Sequence, residues 1–230
     1  FLHVTVFYLN VLQHYFWDQD PTKEAWQIID KEIGEFMQMD CNLVLMSDHG
    51  CIETETVFYV NEWLEREGFL ETKTNVSTLL HNVGITQQSL INFAQTTRIA
   101  GLIRPLVPRK LFDIIPRSEG VTHSGKLNAI DLEQTDAVGN GQGLIYINEE
   151  DDQKREKLKT DIMSKLKDAT DDMGRPIAKS IHDAEEVYSG RYKNDGPDIV
   201  FDQRPGVHTS DAIGPGTVTS KPTKWNAENI

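Results

Sequence analysis

Residues 42–51 read NLVLMSDHGC, and the fold turns on them. The apolar run 42–47 predicts a short buried strand. Asp48 and His49 follow where that strand ends, and Gly50 permits a tight backbone turn that lets both side chains face one cavity. In parallel sheets, ligand sites form outside the carboxyl ends of strands. A carboxylate beside an imidazole offers one hard oxygen and one borderline nitrogen, a pairing that suits zinc or manganese. Taken alone, Asp-His-Gly also suits a plain turn, because Asp and Gly are turn formers.

Upstream, residues 2–9 (LHVTVFYL) are rich in β-branched, aromatic and leucine residues and predict a central strand. Between the two runs, Asp20-Pro21 and TKEAWQIIDKEIGEFMQM predict a helix, with Asp20 as N-cap and Pro21 at the first helical position. Trp26, Ile29, Ile33 and Phe36 recur at spacings of three and four and form one apolar stripe. Strand, helix and strand of these lengths predict a βαβ unit with parallel strands. Asn10 closes the first run and His14 follows four residues later. On a helical turn these positions share a face, so both would point at the sheet edge that carries Asp48 and His49. The plainer reading of His14 is a packed histidine beside Tyr15, Phe16 and Trp17.

Downstream, TVFYVNEWLEREGFL predicts a short extended stretch and a helix ending near Gly68. Residues 71–128 carry RIAGLIRPLVPRKLFDIIP, whose Pro105, Pro108 and Pro116 exclude one long helix. This region is assigned as an insert or cap of short helices. Arg104, Arg109 and Lys110 give it a basic face, read as solvated, and His123-Ser124 is read as loop, because adjacent His and Ser seldom orient for proton transfer. Residues 143–148, 176–182 and 198–201 predict strands. Residues 150–171 predict a charged surface helix, with Leu158, Ile162 and Leu166 on one side and acids at the positive end of its dipole. From Arg204 on, the Gly-, Pro- and Thr-rich tail predicts loop, placing His208 in a solvated segment. The organisation expected is a core part over 1–70, the insert over 71–128, and the core continued over 129–230.

Composition narrows the function. Hydrophobic residues make up 38% of the 230 residues and charged residues 26%, as a packed core requires. A net charge of -13 argues against gripping a nucleic-acid polymer, but not against one small phosphoester, since bound cations reverse the local field. No run is long and apolar enough to span a membrane. Two cysteines, Cys41 and Cys51, are too few for a disulfide framework and suggest thiols in a reducing, cytoplasmic setting. The first residues read as a strand already under way and the last stop without a terminator, so a piece of a longer domain is expected.

The order of Asn10-x-x-x-His14, helix, strand and Ser47-Asp48-His49-Gly50 resembles the alkaline phosphatase superfamily, and above all its type I phosphodiesterase/nucleotide pyrophosphatase branch. VNEWLEREGFL (60–70), AIDLEQTDAVGNGQGLIYIN (129–148) and EEVYSGRYKNDGPDIVF (185–201) extend the resemblance over residues 5–201. It implies an α/β fold with a mostly parallel sheet flanked by helices. It also implies two divalent metal ions, usually zinc, and hydrolysis of phosphodiester or pyrophosphate bonds through a covalent phospho-enzyme. Asp48 and His49 would hold one ion. His14 would help hold the other, with Asn10 where the family has Asp; the family's later His would either lie just beyond this sequence or be replaced by Asn229. By the same resemblance, the nucleophile would be a Thr or Ser well before the Asn10-x-x-x-His14 segment, on a stretch not in this sequence. An Asn oxygen brings no negative charge to a dication, so a catalytically impaired binding module is the alternative; a sulfatase- or phosphoglycerate-mutase-type relative is a third. The sequence does not fix the oligomeric state.

Overall fold

The computed structural model describes residues 2–73, 129–213, 216–220 and 227–229. In chain order, the helices are α1 (Phe7–Tyr15), α2 (Asp20–Met37), α3 (Val60–Arg66), α4 (Asp152–Lys167) and α5 (Ala184–Val187). The strands are β1 (Cys51–Glu53), β2 (Thr56–Tyr59), β3 (Ala137–Asn140), β4 (Leu144–Ile147), β5 (Ala178–Asp183), β6 (Ile199–Gln203), β7 (Val207–Ser210), β8 (Val218–Thr219) and β9 (Ala227–Asn229).

Three sheets result. One has four strands in the order β3-β4-β6-β5, all antiparallel. A second has the order β7-β2-β8, in which β2 runs parallel to β7 and antiparallel to β8. The third pairs β1 with β9 antiparallel. The fold is mixed α/β as expected. The expectation of a mostly parallel sheet is corrected: among the described residues, β2 with β7 is the one parallel pairing.

The core lies between the four-stranded sheet, α3 and α4. Phe58 stacks edge-on against Phe201 and tilted against Trp63. Ile145, Ile162, Leu166, Ile177 and Ile199 close around them without solvent exposure. Each such side chain contributes about 1.5–3 kcal/mol by leaving water, so this cluster anchors the described residues. The start of α4 is the charged segment read from sequence: Asp151 caps it by accepting from the Lys154 N–H at 2.9 Å, and Lys165 and Lys167 occupy the last turn. Lys159, on the same helix, is nonetheless buried, held by Glu156 at 2.6 Å and Asp183 at 2.7 Å.

Two expected strands are absent. Residues 42–47 form no strand; Leu43, Val44, Leu45 and Met46 lie exposed, Met46 at 86%. Residues 2–6 are likewise unpaired, with Leu2, Val4 and Val6 exposed, and 7–9 belong to α1. Strand-forming residues become a strand only where neighbouring backbone satisfies their N–H and C=O groups, and these two runs have no ladder among the described residues. The βαβ unit expected from them is therefore not formed, although its helix α2 is. That helix begins one residue earlier than expected, with Gln19 as N-cap. Its Ile29, Ile33 and Phe36 are half-buried and Trp26 is 50% exposed.

The tail read as loop contains β7, β8 and β9, so His208 sits on a strand, opposite Val57. Of the segment assigned as an insert, 74–128 lies outside the described residues, and with it Arg104, Arg109, Lys110, His123 and Ser124. Its two ends lie side by side: Thr72 bridges Ile130, and the Lys73 N–H donates to Ala129 O at 2.7 Å. The chain thus leaves and re-enters the core at one point.

Candidate metal centre

Asp48 and His49 lie in the irregular segment that leads into β1, not at the end of a strand. His49 Nε2 stands 3.7 Å from Asp48 Oδ1. The other ring nitrogen, Nδ1, is 2.9 Å from Gly50 O. A carbonyl only accepts, so Nδ1 carries a hydrogen, and in the neutral ring the lone pair is then on Nε2. Metal-binding histidines share this arrangement, in which a carbonyl fixes the tautomer and the ring direction. Two donors about 2.0–2.2 Å from a tetrahedral ion lie roughly 3.3–3.6 Å apart, close to the spacing seen here. The Ser47 hydroxyl donates to His49 O and tightens the same turn. The Asp48 side chain is 86% exposed and that of His49 35%, so the pair is open to solvent.

Asn10 and His14 both lie on α1, one turn apart, as the spacing requires. His14 is buried, at 4% exposure. The strand β9 links this helix to the Asp48–His49 segment. It pairs with β1, Asn229 opposite Cys51, and it also packs against α1. Among the described residues no group of three or more His, Cys, Asp or Glu side chains is gathered around one point. Asp48 with His49 is the pair the structure brings together; it does not gather them with His14 into such a group.

His208 belongs elsewhere. With Asn140, Gln142, Ser210 and Asp211 it lines an open cleft of about 420 Å³, to which neither Asp48 nor His49 contributes. Asp198, in the GPDIVF segment, is a structural hub. Its Oδ2 accepts from the Ile147 N–H at 2.7 Å and its Oδ1 from Arg155 Nε at 2.6 Å, tying β4 and α4 to the start of β6.

A second charged cluster went unnoticed in the sequence. Asp171 has no exposed side-chain surface. Its Oδ1 accepts from the N–H groups of Met173 and Arg175, both at 2.9 Å, and its Oδ2 from Arg175 Nε at 2.7 Å and Arg204 Nη2 at 3.3 Å. Burial pushes this carboxyl up, and the bonds from Arg175 and Met173 outweigh it, so it titrates below the ordinary value. Glu55 joins by accepting from Arg175 Nη1 at 2.7 Å, and as it lies 120 residues away in the chain, no spacing rule would have joined all four.

Among the described residues, the site thus consists of a solvent-open carboxylate–imidazole pair on a mixed α/β chain. The chain belongs to the type I phosphodiesterase / nucleotide pyrophosphatase family, whose model matches residues 1–226. That is a hydrolase family of the alkaline phosphatase superfamily. No curated protein and no solved structure matches the chain.

Proposed function

We propose that the chain carries part of the site of a metal-dependent enzyme that hydrolyses phosphodiester or nucleotide pyrophosphate bonds through a covalent phospho-enzyme. The observation that carries this reading is the Asp48–His49 pair: an oxygen and a ring nitrogen 3.7 Å apart, the ring's Nδ1 turned to Gly50 O, inside a chain of this hydrolase family. A divalent cation there, zinc or manganese by donor chemistry, would act as a Lewis acid on the phosphoryl oxygens and lower the pKa of an attacking hydroxyl. Asp48 supplies the negative charge that draws in the cation. His49 supplies a nitrogen held in place by Gly50 O. His14 and Asn10 contribute to a second position, which the neutral Asn amide leaves weaker than a carboxylate would. The nucleophile is not assigned to any residue of this chain.

The partner proposed is a small phosphoester, since a net charge of -13 repels a nucleic-acid polymer. The two cysteines, thiols in the structure, favour a cytoplasmic setting. Among the described residues no helix is long and apolar enough to cross a membrane. A second reading rests on Asn10: a relative that binds one cation and has lost its chemistry. The test is cleavage of an aryl phosphodiester by the longest natural form of the protein, with zinc or manganese added. Wild type should turn over and Asp48→Ala should lose at least about a hundredfold, the order seen when one charge-stabilising group is removed. Turnover unchanged in Asp48→Ala rejects the assignment, and zinc binding without turnover selects the second reading.

A further inference from the structure

The 420 Å³ cleft opens between two short segments, the β3–β4 turn at 140–142 and most of β7 with the residue after it, 208–211. One buried side chain holds both walls. Asn61, 1% exposed, donates from Nδ2 to Gly139 O at 3.1 Å and to Asp211 O at 2.9 Å, and its Oδ1 accepts from the Gly139 N–H at 2.7 Å. The walls also meet closely at one point: a Cβ on Gly141 would lie 3.2 Å from Thr209 O. Within the turn, the Gln142 N–H donates to Asn140 Oδ1 at 3.1 Å. Past the end of β7, the Ala212 N–H donates to Ser210 Oγ at 3.2 Å. A cleft pinned in this way has its shape before a ligand arrives, which lowers the ordering cost of binding.

Its lining decides the class of ligand. The volume falls within the roughly 300–1,000 Å³ of small-molecule sites, but those are lined mainly by apolar and aromatic side chains. Among the described residues this lining holds no aliphatic side chain and, His208 apart, no ring. An apolar ligand would gain nothing there. The lining also holds no lysine or arginine, and it includes the Asp211 carboxylate, so a phosphate or other anion is repelled. What remains is a mixture of amides and hydroxyls, groups that both donate and accept. The Asn140 Nδ2 group and the Gln142 side-chain amide make no hydrogen bond among the described residues. Neighbouring hydroxyls of a sugar each donate once and accept, and so match such a set. We propose that this cleft binds a neutral polyhydroxylated ligand of the sugar class. The proposal does not rest on the function proposed above.

The test is amide NMR of the full chain, titrated with D-glucose and separately with inorganic phosphate, in wild type and Gln142→Ala. Gln142 is exposed, so the variant should fold, and an unchanged melting temperature checks this. Glucose should move the signals of Gly141, Gln142, Ser210 and Asp211 and saturate with a Kd of about 1–50 mM, the weak affinity of a small polar ligand. Gln142→Ala should weaken it about threefold or more, the effect of one lost hydrogen bond. Phosphate should leave the cleft signals in place. Shifts that fail to saturate or that spread over the whole surface overturn the proposal. So does equal affinity in Gln142→Ala, or phosphate moving the cleft signals as strongly as glucose.

Discussion

Replacing Asp198 tests whether a residue in a family-like segment acts on structure or on chemistry. Its carboxylate is 10% exposed and meets two donors, the Ile147 N–H and Arg155 Nε. Hydrogen bonds to a charged acceptor are worth about 1.5–3 kcal/mol each. The Arg155 bond is discounted to about 1 kcal/mol because the arginine is 37% exposed and water replaces its partner. The Ile147 N–H lies in β4 beside buried Ile145 and would be left without its acceptor, which puts it at about 2 kcal/mol. Asp198→Ala should therefore cost about 3 kcal/mol, and Asp198→Asn, which still accepts one bond, about half of that. For a chain of this size the alanine variant should melt about 6–12 °C lower. Urea unfolding followed by circular dichroism measures the loss, and a zinc titration on the same samples reports the site. A loss below about 1 kcal/mol, or unchanged stability with abolished zinc binding, would refute the structural role.

Three further outcomes follow from local geometry. Gly143 has φ +77°, and a Cβ there would meet Phe201 O at 2.2 Å, so Gly143→Ala should destabilise by about 2–4 kcal/mol in the same urea assay. Thr56 is fully buried and its hydroxyl has no hydrogen-bond partner among the described residues, so Thr56→Val should be neutral or raise the melting temperature slightly. Asp171 and Asp183 both titrate below their ordinary value of 3.8: burial pushes each up, and the bonds from Arg175 and Met173, or from Lys159 and Glu185, outweigh it. Their folded-state pKa values are depressed, so their stabilisation is complete above the unfolded value and is lost as pH falls through the folded one. Melting temperature should drop below about pH 4, and Asp171→Asn should flatten that drop while lowering stability at neutral pH.

Where one segment's chemistry decided its structure, the sequence was readable. Helix α2 is announced by Pro21 and its periodic apolar residues, α3 by the run ending at Gly68, and α4 by acids before bases. The strands β4 and β6 are short apolar runs bounded by turns, β5 is the more polar AKSIHD, and all three lie close to where expected. What escaped depended on partners distant in the chain. The strand β7 is only Val207–Ser210 in a tail dominated by Gly, Pro and Thr, and it exists because β2, some 150 residues earlier, pairs with it. The strand β3 contains Gly139, an unusual strand residue, which is needed because Val60 packs where a Cβ would be, 2.5 Å away. The runs 2–6 and 42–47 differ in the other direction: strand-forming side chains with no ladder to join among the described residues. Asp48 and His49 stand side by side in the structure simply because they are adjacent in the sequence. The orientation of the imidazole by Gly50 O was not legible, since it depends on the turn itself.

The central claim is that Asp48 and His49 share a cation through His49 Nε2. Zinc titration monitored by nitrogen NMR of the histidine rings tests it directly. The account predicts saturable binding in which the His49 Nε2 resonance shifts while Nδ1 remains protonated, and loss of that response in Asp48→Ala. Zinc binding that leaves the His49 ring unperturbed, or that survives Asp48→Ala unchanged, would contradict it.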